Sequence, residues 1–462
     1  MDPNNHQRSA LASHAGAARF AYNTMLTYVR HALETRSYER RVLGEVTTQV
    51  PWNAYALRKA WNNEVKNWAA PWWRENSKEA YASGIAALAS ALANFSSSKK
   101  GTRRGRRVGF PRHKKRHARR SFTVTTGSFG AADARHVRLP VIGTVRVKEQ
   151  TTGLVAALDD GHARALSVTV SETAGRWFVS FQVAQENEPM PVTKPAAVAG
   201  VDLGINALAT VVTIDQETGE ESVEVVANPK ALSRYERRMR HQAKVASRRQ
   251  RGSRRHAQAQ RRLARTHYKV ANIRRDAAHK LTTRLASTYG TVVVEDLGVA
   301  GMVKNHHLAK SVSDASFGEL RRQLTYKTTW HRGTLVVADR FYPSSKTCSG
   351  CGWRKPSLPL SERRFICEQC GLVCDRDVNA ARNLARLGLA TPLPDTAARG
   401  NSPTGPVAVS GTETQNARGE ESAGPVLRLV KLSSVKREAG TGAVFQDGAG
   451  KTSTATRQLV AA

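Results

Sequence analysis

A chain of 462 residues is long enough for two to four compact units, each with its own core, and excludes a small disulfide-stapled scaffold. Its 72 lysines and arginines against 37 acids leave a formal charge of +35, which calls for a polyanionic partner. Nucleic acid meets that demand. A membrane surface would need a greasy basic helix or an apolar span of about 20 residues, and the sequence has no such span. Residues 1–6 lack the apolar run of a secretory signal, so an intracellular, cytoplasmic protein is expected.

From residue 10 to 36, Leu11, Ala15, Ala18, Tyr22, Met25, Val29 and Ala32 recur at three- and four-residue spacing, which predicts an amphipathic helix. Tyr55, Leu57, Trp61, Val65 and Trp68 predict a second, stopped by Pro71. Asn76 with Glu79 reads as a capping box opening a third, which runs to Phe95. Trp52, Trp61, Trp68, Trp72 and Trp73 give this block an aromatic face, read first as packing and second as a base-stacking platform.

Residues 99–120 hold twelve lysines and arginines and no acid, with glycines and a proline that break any helix. The run lies between ordered-looking blocks, so Arg103, Arg104, Arg106, Arg107, Arg112, Lys114 and Lys115 are candidate phosphate contacts. Short alternating runs follow to residue 188, with turns at Gly127, Gly143 and Gly175. They predict antiparallel strands of a small barrel or sandwich.

A proline-marked linker (189–196) precedes a change of pattern. VAGVDLGI, ALATVVTI and SVEVVAN predict three consecutive strands, and a basic segment follows. Residues 234–275 carry sixteen lysines and arginines against Glu236 alone, with Arg248, Arg249, Arg254 and Arg255 as further phosphate candidates. Strand TVVVEDL, a helix near 314–330, strand TLVVADRF, the cysteines and a helix near 378–388 complete a mixed sheet with helices on its faces. Residues 391–462 have nine glycines and one aromatic, which predicts a disordered tail.

All five cysteines fall between 348 and 374. Cys348 and Cys351 form one Cys-x-x-Cys pair, Cys367 and Cys370 another, fifteen residues apart, the spacing of a four-thiolate zinc ribbon. Gly350, Gly352 and Gly371 supply turn backbone, and Cys374 is read as a small apolar residue. A closed four-thiolate site is structural, not catalytic.

Three carboxylates interrupt or end apolar elements: Asp202 in VAGVDLG, Glu295 at the end of TVVVE, and Asp377 in CDRDVNAARN. Singly, each has a plain reading: a turn, a solvated strand end, a helix cap shared between Asp375 and Asp377. Jointly they could converge to hold two Mg²⁺ or Mn²⁺ ions for phosphodiester cleavage. No phosphate-binding G-x-x-x-x-G-K-[ST] loop and no G-x-S-x-G elbow competes, and His306 and His307 lie in a polar loop.

The combination of GVDLGINALAT, VVVEDLGVAGM, YPSSKTCSGCG with CEQCG, and DRDVNAARNLA resembles the TnpB (OrfB) proteins of bacterial insertion sequences, relatives of type V CRISPR effector nucleases. RFAYNTML, SKEAYASGIAAL, GRRVGFPR and AGRWFVSFQV extend the resemblance over residues 17–388. It implies a multidomain α+β chain: a helical recognition lobe with its basic segment (1–120), a small β-barrel (121–188), and a RuvC-like ribonuclease-H-fold domain (197–390) with a zinc ribbon at 345–374. It places Asp202, Glu295 and Asp377 at the catalytic acid positions, with Asp375 the fallback for the third. Cys348, Cys351, Cys367 and Cys370 take the zinc positions.

The implied function is RNA-guided cleavage of double-stranded DNA, with a guide RNA, catalytic Mg²⁺ (or Mn²⁺) and structural Zn²⁺, in a bacterial cytoplasmic, nucleoid-associated protein. A non-cleaving nucleic-acid-binding accessory or regulator of transposition is the alternative, and a self-sufficient transposase a weaker third. Family members usually open with a strand before the first helix, whereas this chain opens almost at the helix itself.

Overall fold

Asn4 starts the first helix by accepting from the Gln7 amide at 2.8 Å while the Gln7 side chain caps the Asn4 amide in return. A computed structural model describes residues 1–186, 190–359, 361–391 and, as backbone, 454–461. The chain divides into two compact units, Met1–Asn187 with the far C-terminus, and Glu188–Val407.

In the first unit, α1 (Asn5–Tyr38) buries the seven-residue stripe read from the sequence and runs into a π-helical turn, Glu39–Leu43. Then come α2 (Ala54–Ala60), a π-turn at Trp61–Val65, α3 (Lys66–Ala69) and α4 (Lys78–Lys99). Helix α4 is capped by Ser77, not Asn76. Glu79 instead turns outward from the cap and accepts from the Thr125 amide at 2.9 Å and from the Thr125 and Thr126 hydroxyls, tying the helix to the loop beyond the first strand. Gly84 lets α4 approach α1 closely, because a Cβ there would lie 2.0 Å from the Ala18 carbonyl oxygen. Trp61 is buried and stacked on Tyr81, and Trp52 and Trp73 pack half-buried against the core, whereas Trp68 and Trp72 are exposed.

Strands β1 (Ser121–Val124), β2 (Gly130–Asp133), β3 (His136–Leu139) and β4 (Gly143–Arg146) are followed by α5 (Thr152–Asp159), β5 (Ala163–Thr173) and β6 (Arg176–Glu186). The expected barrel is not formed. A barrel pairs every strand on both sides, but among the described residues β1 pairs only with β5 and β4 only with β3, leaving two open antiparallel sheets. Their inward residues, among them Phe122, Val168, Val170 and Phe181, join Leu11, Met25 and Leu88 of the helices in one hydrophobic core. Helices and strands expected as separate domains therefore share a core.

Most of the tail expected to be disordered lies outside the described residues. Its far end is a strand, paired antiparallel with β6 from Thr454 opposite Glu186 to Ala461 opposite Val179.

The second unit is built on β7 (Lys194–Asp202), β8 (Ala207–Asp215) and β9 (Glu221–Ala227), an antiparallel meander. Two long basic helices follow, α6 (Ala231–Ser247) and α7 (Arg254–Thr288), then β10 (Tyr289–Glu295). Short α8 (Val299–Met302) and α9 (Ala309–Ala315) lead to α10 (Phe317–Trp330), β11 (Thr334–Ala338), the hairpin β12 (Arg364–Ile366) and β13 (Val373–Asp375), and α11 (Arg376–Ala390). The C-terminal strand described above is β14 (Thr454–Ala461).

The sheet order is β11-β10-β7-β8-β9, with β10 parallel to both β7 and β11. Side chains alternate faces along each strand. Ala199, Val201, Val292 and Val294 pack against α7 and α10 on one face, while Val198 and Val293 meet Leu384 of α11 on the other. Gly200 and Gly388 seat α11 against the sheet. A Cβ on Gly200 would lie 2.1 Å from the Ala381 carbonyl oxygen, and one on Gly388 would lie 2.5 Å from Val293.

Candidate active site and zinc centre

The same alternation that turns Val198 and Gly200 toward α11 turns Asp202 that way, and Val293 carries Glu295 with it. Both acids are the last residues of adjacent parallel strands, since Val201 lies opposite Val294. Asp377 occupies the first turn of α11, the helix that covers this face. The helix is capped by Asp375, whose carboxylate accepts from the Asp377 and Val378 amides at 2.8 and 3.2 Å.

Burial pushes the Asp202 carboxyl well above its ordinary range, and the charges of Glu295 and Asp377 push it further, with Arg376 opposing. Burial likewise raises Asp377, with Asp375 adding to it and Arg363, 4.0 Å away, opposing. The three acids are thus electrostatic neighbours at one end of the sheet. Their donor set is oxygen only, which suits Mg²⁺ or Mn²⁺ and not zinc.

Several residues around these acids carry no signal read in the sequence. The Ser344 hydroxyl donates to Glu295, and Asp296 accepts from Arg321 and from Arg340 (2.6 Å). Asn379 and Asn383, four residues apart on α11, both donate to the Thr347 carbonyl. The i, i+4 asparagines of DVNAARN were the one available hint, since such a pair shares a helix face.

The four cysteines behave as their spacing predicts. Their sulfurs lie within 4.8 Å of one another, Cys348 to Cys370 and Cys351 to Cys367 each at 3.6 Å. A tetrahedral Zn²⁺ with bonds of about 2.3 Å sets sulfur–sulfur edges near 3.8 Å, so the cluster fits the ion. Gly352 and Gly371 adopt positive φ of 79° and 71°, and the amides of Gly350 and Cys370 donate to Cys348 and Cys367. Cys374 is half-buried beside Phe365 and outside the cluster. Among the described residues this is the only group of three or more His, Cys, Asp or Glu gathered so tightly; Asp202, Glu295 and Asp377 are not drawn together to that degree.

Of the candidate phosphate contacts, Arg104, Arg106, Arg107, Arg112 and Lys115 are exposed in the irregular 99–120 segment, and Lys114 lies over the Tyr22 ring. Arg103 is half-buried and donates to the Arg106 carbonyl. Arg248, Arg249, Arg254 and Arg255 are exposed around the tip of the α6–α7 hairpin. His306 and His307 are exposed. Among the described residues no helix is long and apolar enough to cross a membrane.

A Mycobacterium tuberculosis (H37Rv) protein named as an RNA-guided DNA endonuclease is 36% identical over 446 residues, covering 91% of this chain and 93% of that protein. The family described as "Probable transposase", OrfB of IS605, matches residues 180–306. The chain belongs to this TnpB (OrfB) family.

InsQ of Escherichia coli K12, another family protein named as an RNA-guided DNA endonuclease, is 29% identical over 84% of this chain and 90% of its own. A TNB domain of the Cas12f1-like type matches residues 317–384, which include the four cysteines. The family's helix-turn-helix domain matches residues 1–37, of which 5–37 lie in one continuous helix, α1. A chain of the Cas12f1–sgRNA–target DNA complex is 13% identical, with a TM-score of 0.43 over 79% of this chain and 81% of that one.

Proposed function

We propose that this TnpB-family chain is an RNA-guided, metal-dependent DNA endonuclease of a transposable element. What supports the reading is that Asp202 and Glu295 end the adjacent strands β7 and β10 and Asp377 lies in the first turn of α11, near enough for the charges of Glu295 and Asp377 to raise the Asp202 carboxyl. A largely desolvated carboxylate with two others near it is costly without a counter-charge, and a protein that only bound nucleic acid would have no use for that cost opposite a phosphate backbone. The names carried by the Mycobacterium and Escherichia relatives support the same activity.

We read the five-stranded sheet as the expected RuvC-like, ribonuclease-H-type core, and the 345–374 segment as a structural zinc ribbon inserted before its last helix. Asp202, Glu295 and Asp377 would hold Mg²⁺ (or Mn²⁺). When bound, a pair of such ions activates a water and stabilises the leaving oxygen of the cut strand. Asp375 is committed to capping α11, which favours Asp377 as the third acid.

The rest of the task falls to the basic surface. The exposed arginines and lysines of 99–120 and of the α6–α7 tip fix the backbones of a guide RNA and of a target DNA through charge, without reading sequence. Base pairing between guide and target supplies the sequence specificity. A bacterial cytoplasmic, nucleoid-associated location follows from these partners.

The test is to purify the chain with RNA from its own locus, sequence the RNA that co-purifies, and challenge the complex with a matching plasmid in Mg²⁺. A discrete RNA, with cleavage that Asp202→Ala abolishes, is the expected result. Bound RNA without cleavage would establish the regulator instead, and cleavage and rejoining without any guide would establish a self-sufficient transposase.

A further inference from the structure

We propose that Ser344 is a positioning residue for Glu295, clamped in place by two asparagines of α11. The inference rests on the reading of Asp202, Glu295 and Asp377 as the metal-holding acids and deepens it. Ser344 is only 3% exposed, and its single hydroxyl proton goes to Glu295 Oε1. A hydrogen bond to an ionised acceptor is stronger and more directional than a neutral one. It fixes the rotation of the carboxylate, whose Oε2 has no partner among the described residues.

The serine is itself held at its backbone. Asn383 Nδ2 donates to the Ser344 carbonyl at 2.7 Å and to the Thr347 carbonyl at 2.6 Å. Asn379 Nδ2 donates to the same Thr347 carbonyl at 2.7 Å, while its Oδ1 accepts from the Ser349 amide at 2.9 Å. Both asparagines are buried, Asn379 completely. Buried amides with nearly every donor and acceptor engaged are held to one arrangement, because each missing partner leaves an unsatisfied buried group.

The loop clamped in this way runs from the end of β11 to the first zinc thiolate, Cys348. The helix that clamps it carries Asp377 in its first turn. One helix therefore places its own acid and, through the loop, orients a second acid from a different strand. Partners of this kind behind metal-binding carboxylates change metal affinity by roughly 10–100-fold when removed.

The experiment measures Mn²⁺ binding by the full-length chain, using titration calorimetry on wild type, Ser344→Ala, Ser344→Cys, Ser344→Thr and Glu295→Gln, with zinc content recorded for each. The expected result is binding about tenfold or more weaker in Ser344→Ala and Ser344→Cys, restored in Ser344→Thr, with one zinc per chain throughout. Ser344→Cys keeps the shape of the side chain and loses its strong donor, so it decides the matter if the alanine variant folds poorly. Wild-type affinity in Ser344→Cys, alongside weakened binding in Glu295→Gln, would overturn the role of Ser344 and leave the acid site standing. Unchanged binding in Glu295→Gln would overturn the acid site and this inference together.

Discussion

Asp202 is desolvated beside two other acids, Glu295 and Asp377. Folding raises the pKa of its carboxyl above the ordinary 3.8, so the charged form disfavours the metal-free fold at neutral pH, and that cost fades as pH falls and is gone below 3.8, where the group is protonated folded or unfolded. Asp202→Asn should therefore raise the melting temperature of metal-free protein at pH 7, by about 2–4 °C per kcal/mol relieved, with no gain below pH 4. Melting curves across pH, with and without Mg²⁺, check both the sign and the window. Glu39 runs the other way. Hydrogen bonds from Thr48 and Thr47 hold its carboxyl down to about 2 against an ordinary 4.5. Its contribution is complete above pH 4.5 and lost as pH falls through 2, so urea midpoints of Glu39→Gln and wild type should differ at pH 6 and converge near pH 2. Asp202 was legible in the sequence because a charge interrupts an apolar strand. Ser344 was not, since one serine among several in a loop announces nothing until β10 is placed beside it.

Elements that repeat a short rule were the easiest to read. The α1 stripe, the three-strand meander and the paired Cys-x-x-Cys knuckles each follow from local spacing, and each is present. The barrel was misread because alternation marks a strand without saying whether its far edge finds a partner. The capping box failed for a related reason: Glu79 had a better use, bonding to Thr125 and Thr126 at a distance in sequence that no local pattern contains. Close approach between elements was equally hidden, and it is testable. Gly84→Ala would push a methyl into the Ala18 carbonyl and Gly200→Ala another into α11. Each should cost about 1–3 kcal/mol or more in denaturant unfolding, whereas Gly16→Ala, with open space around it, should cost nothing by overlap. Removing zinc from the ribbon should unfold β12 and β13 with it, because the four thiolates supply most of what holds so small a hairpin. Circular dichroism before and after chelation, with metal content measured at one zinc per chain, reports that loss.

Across the whole molecule, charge dominates. The exposed arginines of 99–120 and of the α6–α7 tip lie in different units, so each can be removed separately. Changing Arg248, Arg249, Arg254 and Arg255 together to alanine should flatten the plot of log affinity for nucleic acid against log salt by about 0.7–0.9 for each phosphate no longer neutralised, and weaken all sequences alike. A change that depended on sequence would instead assign these arginines to base reading. The net charge pointed to a nucleic-acid partner from composition alone, while the partition into two cores required three-dimensional packing that composition does not hold.

The path of the chain through the second sheet also sets when the proposed acid site can first be complete during synthesis. Asp202 is made early and Glu295 later, and the helix that brings Asp377 and clamps the Ser344 loop comes after both. At about 5–20 residues added each second, the ribosome spends several seconds between the second acid and the third. During that interval β7 and β10 can pair, yet the face reserved for α11 stays bare and the trio is incomplete. An unfinished chain that has already exposed its cationic hairpin to nearby nucleic acid would thus have no means of cutting it.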